Sequence, residues 1–178
     1  TDIQNNAQGN AIRELAKRGI IFNTTTRLVQ SHKQVNKLDI MTMIASAMDL
    51  SSNAKSKYMD LEKEQHLQHA QGLLEAGIMS GATSSRFRPT ALMTKQEAAI
   101  IIANMYRYLN QDLSKVYNEL TSNYRDIANL TLEARQSIAI LELFGVVDGT
   151  GAFNPTQTLS RGEFAELFYK ALNAINYL

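Results

Sequence analysis

The chain has 178 residues, with 18 Lys and Arg against 17 Asp and Glu, a formal net charge of +1, and no cysteine. The length fits one compact unit or a set of smaller pieces at roughly 150 residues per domain, and the near-zero charge argues against a polyanion binder working by bulk charge. Disulfide frameworks, thiolate zinc sites and cysteine nucleophiles are excluded, no apolar run reaches the roughly 18 residues of a membrane-spanning helix, and the compartment stays open.

In chain order, the first predicted helix runs from about Asn6 to Arg18 and stops at Gly19. That glycine takes the left-handed position after the last turn, with Ile20 packing back on the helix. A loop of about 15 residues leads to a second helix, opened by Asn36 with Asp39 three places on, a weaker version of the capping box in which each side chain meets the other's backbone N–H. After a linker near Ser51 to Lys57 the pattern restarts. A helix from about Glu62 to Ala76 stops at Gly77 and Ile78, and a Gly/Ser/Thr-rich loop leads to a helix opened by Thr94 with Glu97. Ala98 to Ala103 and Met105 are apolar almost all round, the mark of a helix buried on most sides. A second linker, Asn110 to Asn123, keeps helical spacing at Leu113, Val116, Tyr117 and Leu120. The third round has a helix from about Leu132 to Phe144, a stop at Gly145 and Val146, a loop, and a helix opened by Ser160 with Glu163. In that last helix Phe164, Leu167, Phe168, Ala171, Leu172 and Ile175 form an apolar stripe.

These rounds are one repeat met three times. Each opens with an acid and an aliphatic, at Asp2-Ile3, Asp60-Leu61 and Asp126-Ile127. The glycine follows after 17, 17 and 19 residues, and a base with an acid two places on follows after a further 18, 18 and 16: Lys37 with Asp39, Lys95 with Glu97, Arg161 with Glu163. Both prolines, Pro89 and Pro155, stand six places before the base and two after Phe87 and Phe153; Ser31 and Val29 fill those places in the first copy. The copies span 1–50, 58–110 and 124–178. One copy has too little core to stand alone, so the second helices should associate in the middle of the molecule.

The pattern resembles the S-layer homology domain, a bacterial surface-anchoring module that usually comes in threes. The resemblance rests on Tyr58-Met59-Asp60-Leu61 and Tyr124-Arg125-Asp126-Ile127, on Gly81 and Gly149 in the loops, on Phe87 to Pro89 and Phe153 to Pro155, and on Thr94-Lys95-Gln96-Glu97 and Ser160-Arg161-Gly162-Glu163. Asn36-Lys37-Leu38-Asp39 is the poorest match. The aromatic of the first copy would stand just before Thr1, which reads as the start of a processed product or excised fragment. The family implies an all-α fold: three helix-loop-helix repeats in a pseudo-threefold arrangement around a central three-helix bundle, with grooves that hold a secondary cell-wall polysaccharide often carrying a pyruvate ketal. By that resemblance Arg161, Lys95 and Lys37 are the anion-binding positions. Arg161 ranks first because its fork can grip a carboxylate with two parallel bonds. Asp2, Asp60, Asp126, Gly81 and Gly149 are further candidate carbohydrate contacts. Many family members carry a Trp after the opening Asp; Ala7 and Gln65 stand at those places here.

Simpler readings stand beside these. Asp39, Glu97 and Glu163 read as helix caps, Asp2, Asp60 and Asp126 as caps of the first helix or holders of a neighbouring loop, and the three bases as partners in surface or inter-prong ion pairs. His66 and His69, three apart on a helix with Glu62 nearby, have a spacing that can bind a metal but read as a solvated helix face, and the seven methionines read as core filler. No nucleophile elbow, phosphate-cradling loop or metal-spaced cluster appears, so no catalysis and no cofactor are expected. The loops are about four times too long for a helix-turn-helix DNA reader, so no nucleic acid is expected. The expected protein is a secreted, non-catalytic module that holds a larger surface protein to the cell wall or S-layer without membrane insertion. A helical-repeat scaffold for protein partners is the alternative, against which the long loops count.

Overall fold

The computed structural model describes residues 3–22, 28–113 and 122–178. Among these the protein is all-α, with six helices and no strand: α1 (Ala7–Lys17), α2 (Lys37–Met48), α3 (Glu64–Glu75), α4 (Lys95–Tyr108), α5 (Leu132–Leu143) and α6 (Arg161–Ala174). Asp2 and the helical spacing at Val116, Tyr117 and Leu120 lie outside the described residues. No described helix is long and apolar enough to cross a membrane.

The ends of the helices follow from local chemistry. Asn36, Thr94 and Ser160 cap α2, α4 and α6, and in all three the capping box is complete, including the Asn36–Asp39 version. The first helices of the three segments end on Gly19, Gly77 and Gly145, with φ of 74°, 68° and 67°. The following Ile20, Ile78 and Val146 donate to the carbonyls of Leu15, Leu73 and Leu141 at 3.0, 3.0 and 2.9 Å, the six-to-one bond of a Schellman stop. The second helices stop in the same way on residues the sequence did not single out. Asp49, Asn110 and Asn176 take φ of 51°, 53° and 52°. Asp and Asn tolerate this left-handed conformation better than other side chains do.

Packing runs between segments. Each second helix lies against the first helix of the next segment: α2 on α3, α4 on α5, and α6 back on α1. The helices α4 and α6 also touch, and the buried Tyr106 hydroxyl donates to the carbonyl of Ala171 at 2.7 Å. At the loop ends preceding the second helices, backbone bonds close a cycle. Val35 N–H donates to Leu159 O at 2.8 Å, Leu159 N–H to Met93 O at 3.0 Å, and Met93 N–H to Val35 O at 3.2 Å. All three residues are buried. The first N–H groups of each second helix, which have no partner within the helix, donate to the next segment's loop. Lys37 and Leu38 reach Ala91 and Pro89, Lys95 and Gln96 reach Gln157 and Pro155, and Arg161 and Gly162 reach Lys33 and Ser31. One hydrophobic core runs through all three segments.

Candidate functional site

Lys37, Lys95 and Arg161 are the first residues of α2, α4 and α6, so the cycle just described places each against the loop of the next segment. Each cation lies over an aromatic ring there. Lys37 Nζ is 4.7 Å from the centre of Phe87, Lys95 Nζ 5.9 Å from Phe153, and Arg161 Cζ 5.3 Å from Phe22. These distances are within cation–π range. Phe22 was not visible as a partner, because the sequence position matching Phe87 and Phe153 is Val29; only the fold shows that an aromatic three residues past Gly19 takes their role.

The three cations differ in what else they meet. Arg161 is 3% exposed, and its Nε and one terminal nitrogen donate to the two Asp39 carboxylate oxygens at 3.0 Å each. A further terminal nitrogen donates to Val29 O at 2.9 Å. The fork that ranked Arg161 first for a ligand carboxylate is thus gripped by an internal one, and Asp39 both caps α2 and ties the third segment to the first. The same cyclic step relates Lys37 to Glu97 and Lys95 to Glu163, but no ion pair forms at either. Neither lysine ammonium has a hydrogen-bond or ion-pair partner among the described residues. Burial pulls the Lys37 ammonium below its ordinary pKa and Arg88 adds to this, while Glu97 and Asp60 act in the opposite sense.

Each lysine opens on a groove. The Lys37 groove, about 480 Å³, runs from the end of α3 along Met79 and Ser80 to Arg88 and Glu97. The Lys95 groove, about 730 Å³, is walled by Tyr124, Val146 to Asp148, Phe153 and Glu163, with Glu142, Glu166 and Lys170 at its rim. A small apolar cavity of about 60 Å³ is lined by Ile12, Leu15, Phe22, Val29 and their neighbours.

The remaining candidates build the walls. Asp60 accepts from the backbone N–H groups of Phe87 and Arg88, both at 2.8 Å, and Asp126 does the same for Phe153 and Asn154. These contacts hold left-handed turns at Arg88 (φ 60°) and Asn154 (φ 57°). Burial works against the charge on both aspartates, but the backbone N–H donors outweigh it and hold each carboxyl below its ordinary pKa. Of the two simple readings of these acids the loop-holding one fits, since α1 and α5 are capped by Asn6 and Thr131, and α3 has no side-chain cap. Gly81 and Gly149 donate their N–H to the hydroxyls of Tyr58 and Tyr124 at 2.8 and 3.1 Å. A Cβ on Gly81 would run into the Tyr58 ring, so this loop passes too close to the tyrosine for any side chain.

His66 and His69 overturn the expectation of a solvated face. They are 8% and 9% exposed, on the side of α3 that packs inward, and burial pulls both below the ordinary imidazole pKa. Three apolar residues, Ala70, Leu73 and Leu61, are buried nearby in the sequence. The histidines thus complete a helical stripe whose polar members hid it. No cluster of three or more metal-ligating side chains occurs among the described residues.

Comparison with known proteins gives a match to the S-layer homology domain over residues 69–99, from within α3 through the Phe87 loop to the first turns of α4. The chain is 25% identical to an endoglucanase of Bacillus sp. (strain KSM-635), aligned over 88% of this chain and 17% of that protein. It is 21% identical to the surface-layer 125 kDa protein of Lysinibacillus sphaericus, over 93% of this chain and 14% of that one. With the S-layer protein sap of Bacillus anthracis the identity is 21%, over 90% and 19%. The chain therefore spans less than a fifth of the length of these relatives.

Proposed function

We propose, from the S-layer homology domain that the chain carries at residues 69–99, that it is a non-catalytic anchoring module which holds a larger secreted protein on a bacterial cell wall or S-layer. We read the chain as three tandem copies, 1–50, 58–110 and 124–178, in a pseudo-threefold arrangement; the cyclic helix pairing and backbone bonds support this reading. The relatives fit it too, because surface-layer proteins and a glycan-degrading enzyme share with this chain only a short part of their length. What they have in common is then attachment and not reaction.

The ligand is a secondary wall polysaccharide bearing carboxylates, such as a pyruvate ketal. The observation that carries the assignment is the pair of half-buried, unpartnered ammonium groups of Lys37 and Lys95, each over an aromatic ring and open to a groove. A carboxylate arriving there restores the hydrogen bonds these ammonium groups lack, and a charge-assisted bond is roughly twice as strong as a neutral one. Asp60, Asp126, Gly81 and Gly149 serve by fixing the loops that form the groove walls. Arg161 serves by tying the third segment to the first through Asp39.

Sedimentation with purified walls tests this. The Lys37→Ala/Lys95→Ala variant should keep its helix content and lose about tenfold or more in wall affinity, the scale of one or two charged hydrogen bonds. Walls stripped of their secondary polysaccharide should bind neither form. Undiminished binding of the folded variant would remove the lysines from the site, and capture of a protein partner without any wall binding would favour the scaffold reading.

A further inference from the structure

We infer that the Lys37 groove continues into a second subsite on the same segment, so that a run of acidic sugars is held along α3. This rests on the polysaccharide reading above. The neighbouring hollow, about 450 Å³, lies between the linker that carries Lys55 and Lys57 and the loop that carries Ser80, Thr83 and Ser84. It shares Leu74 and Ser80 with the Lys37 groove, so the two adjoin at the last turn of α3. Both volumes fall in the range of about 300–1,000 Å³ that small-ligand sites occupy.

The chemistry of the hollow matches an anionic sugar. Lys55 and Lys57 line it, no acidic side chain does, and neither ammonium has a partner among the described residues. The Ser80 and Ser84 hydroxyls also have no hydrogen-bond partner there. At the shared edge Leu74 is 41% exposed, an apolar surface on which the C–H face of a sugar ring can rest while its hydroxyls turn to the serines. Four cations then follow one path, Lys37 and Arg88 in the groove and Lys55 and Lys57 in the hollow, against two acids, Glu97 and Glu133, both in the groove. The Lys95 groove is unlike this. Glu142, Asp148, Glu163 and Glu166 outnumber Lys95 and Lys170 there, which disfavours a second and third negative charge on the chain it holds.

The test uses polysaccharide released from purified Bacillus cell walls by a peptidoglycan-cleaving enzyme at neutral pH, which leaves acid-labile ketals intact, sized into single repeating units and longer runs, with binding read by calorimetry. Two linked subsites make the second contact intramolecular, so the protein should bind long fragments about tenfold or more tighter than single units. The Lys55→Gln/Lys57→Gln variant should lose that gain and bind single units as the unaltered protein does. Equal affinity of the variant and the unaltered protein for long fragments would overturn the second subsite while leaving the anchoring function standing. A parallel loss of single-unit binding in the variant would also overturn it, since the lysines would then act on the groove itself. Failure of the unaltered protein to bind any fragment would overturn the polysaccharide reading and the subsite together.

Discussion

Asp60 and Asp126 show how one residue type at one sequence position builds a groove wall. Each carboxylate takes two adjacent backbone N–H groups, 27 and 28 residues further along the chain, and so fixes the turn that places Phe87 or Phe153 beneath a lysine. Those donors hold both carboxyls below their ordinary pKa. As pH falls through the usual aspartate range near about 4, the unfolded chain takes up protons before the folded one, and stability is lost. At neutral pH the contribution is fully present. Urea unfolding at pH 7 and pH 3 should show a smaller acid loss for the Asp60→Asn/Asp126→Asn variant than for the unaltered protein. Equal losses would mean that these carboxylates are not the groups that titrate. Gly145 is a second case at this scale: its φ of 67° faces open space, so backbone conformation alone calls for glycine there.

At the scale of elements, the decisive contact joins the start of α6 to the start of α2. A buried Arg161–Asp39 pair is weak evidence for stability as a whole, because desolvating two charges offsets most of their attraction. Breaking it is another matter, since one charge is left buried and alone. Arg161→Met should therefore cost about 3–5 kcal/mol in denaturant unfolding, and Arg161→Met/Asp39→Asn should recover more than half of that loss while keeping an acceptor to cap α2. A small loss in the single variant would show that water reaches Asp39. At the corresponding positions, Asp39 is 1% exposed beneath the guanidinium, whereas Glu97, which like Asp39 caps its own helix, stays exposed and forms no ion pair with Lys37. The loss of one ion pair is what leaves Lys37 available.

For the whole molecule the consequence is cooperativity. Every second helix packs on the first helix of the following segment, and the last returns to the first, so no segment can unfold without exposing its neighbours' buried faces. Calorimetry should show one transition whose van't Hoff and calorimetric enthalpies agree, as for a single domain. Two or more resolved transitions would show that the segments are independent. The cycle also explains why each lysine comes from one segment and the ring beneath it from the next.

Local patterning sufficed for the six helices, the caps of the second helices, the glycine stops of the first and the three-fold recurrence of landmarks, because these depend on residues within a few places of one another. The Asn36–Asp39 box and the glycine stops needed no distant contact. It also placed a cation at one point in each segment. Which of those cations is free was decided only by tertiary structure. The pairing of Arg161 with Asp39 spans 122 residues, the replacement of Val29 by Phe22 beneath it is a matter of loop path, and the burial of His66 and His69 depends on the inward packing of α3. None of these leaves a local signal, because each is set by how neighbouring segments meet.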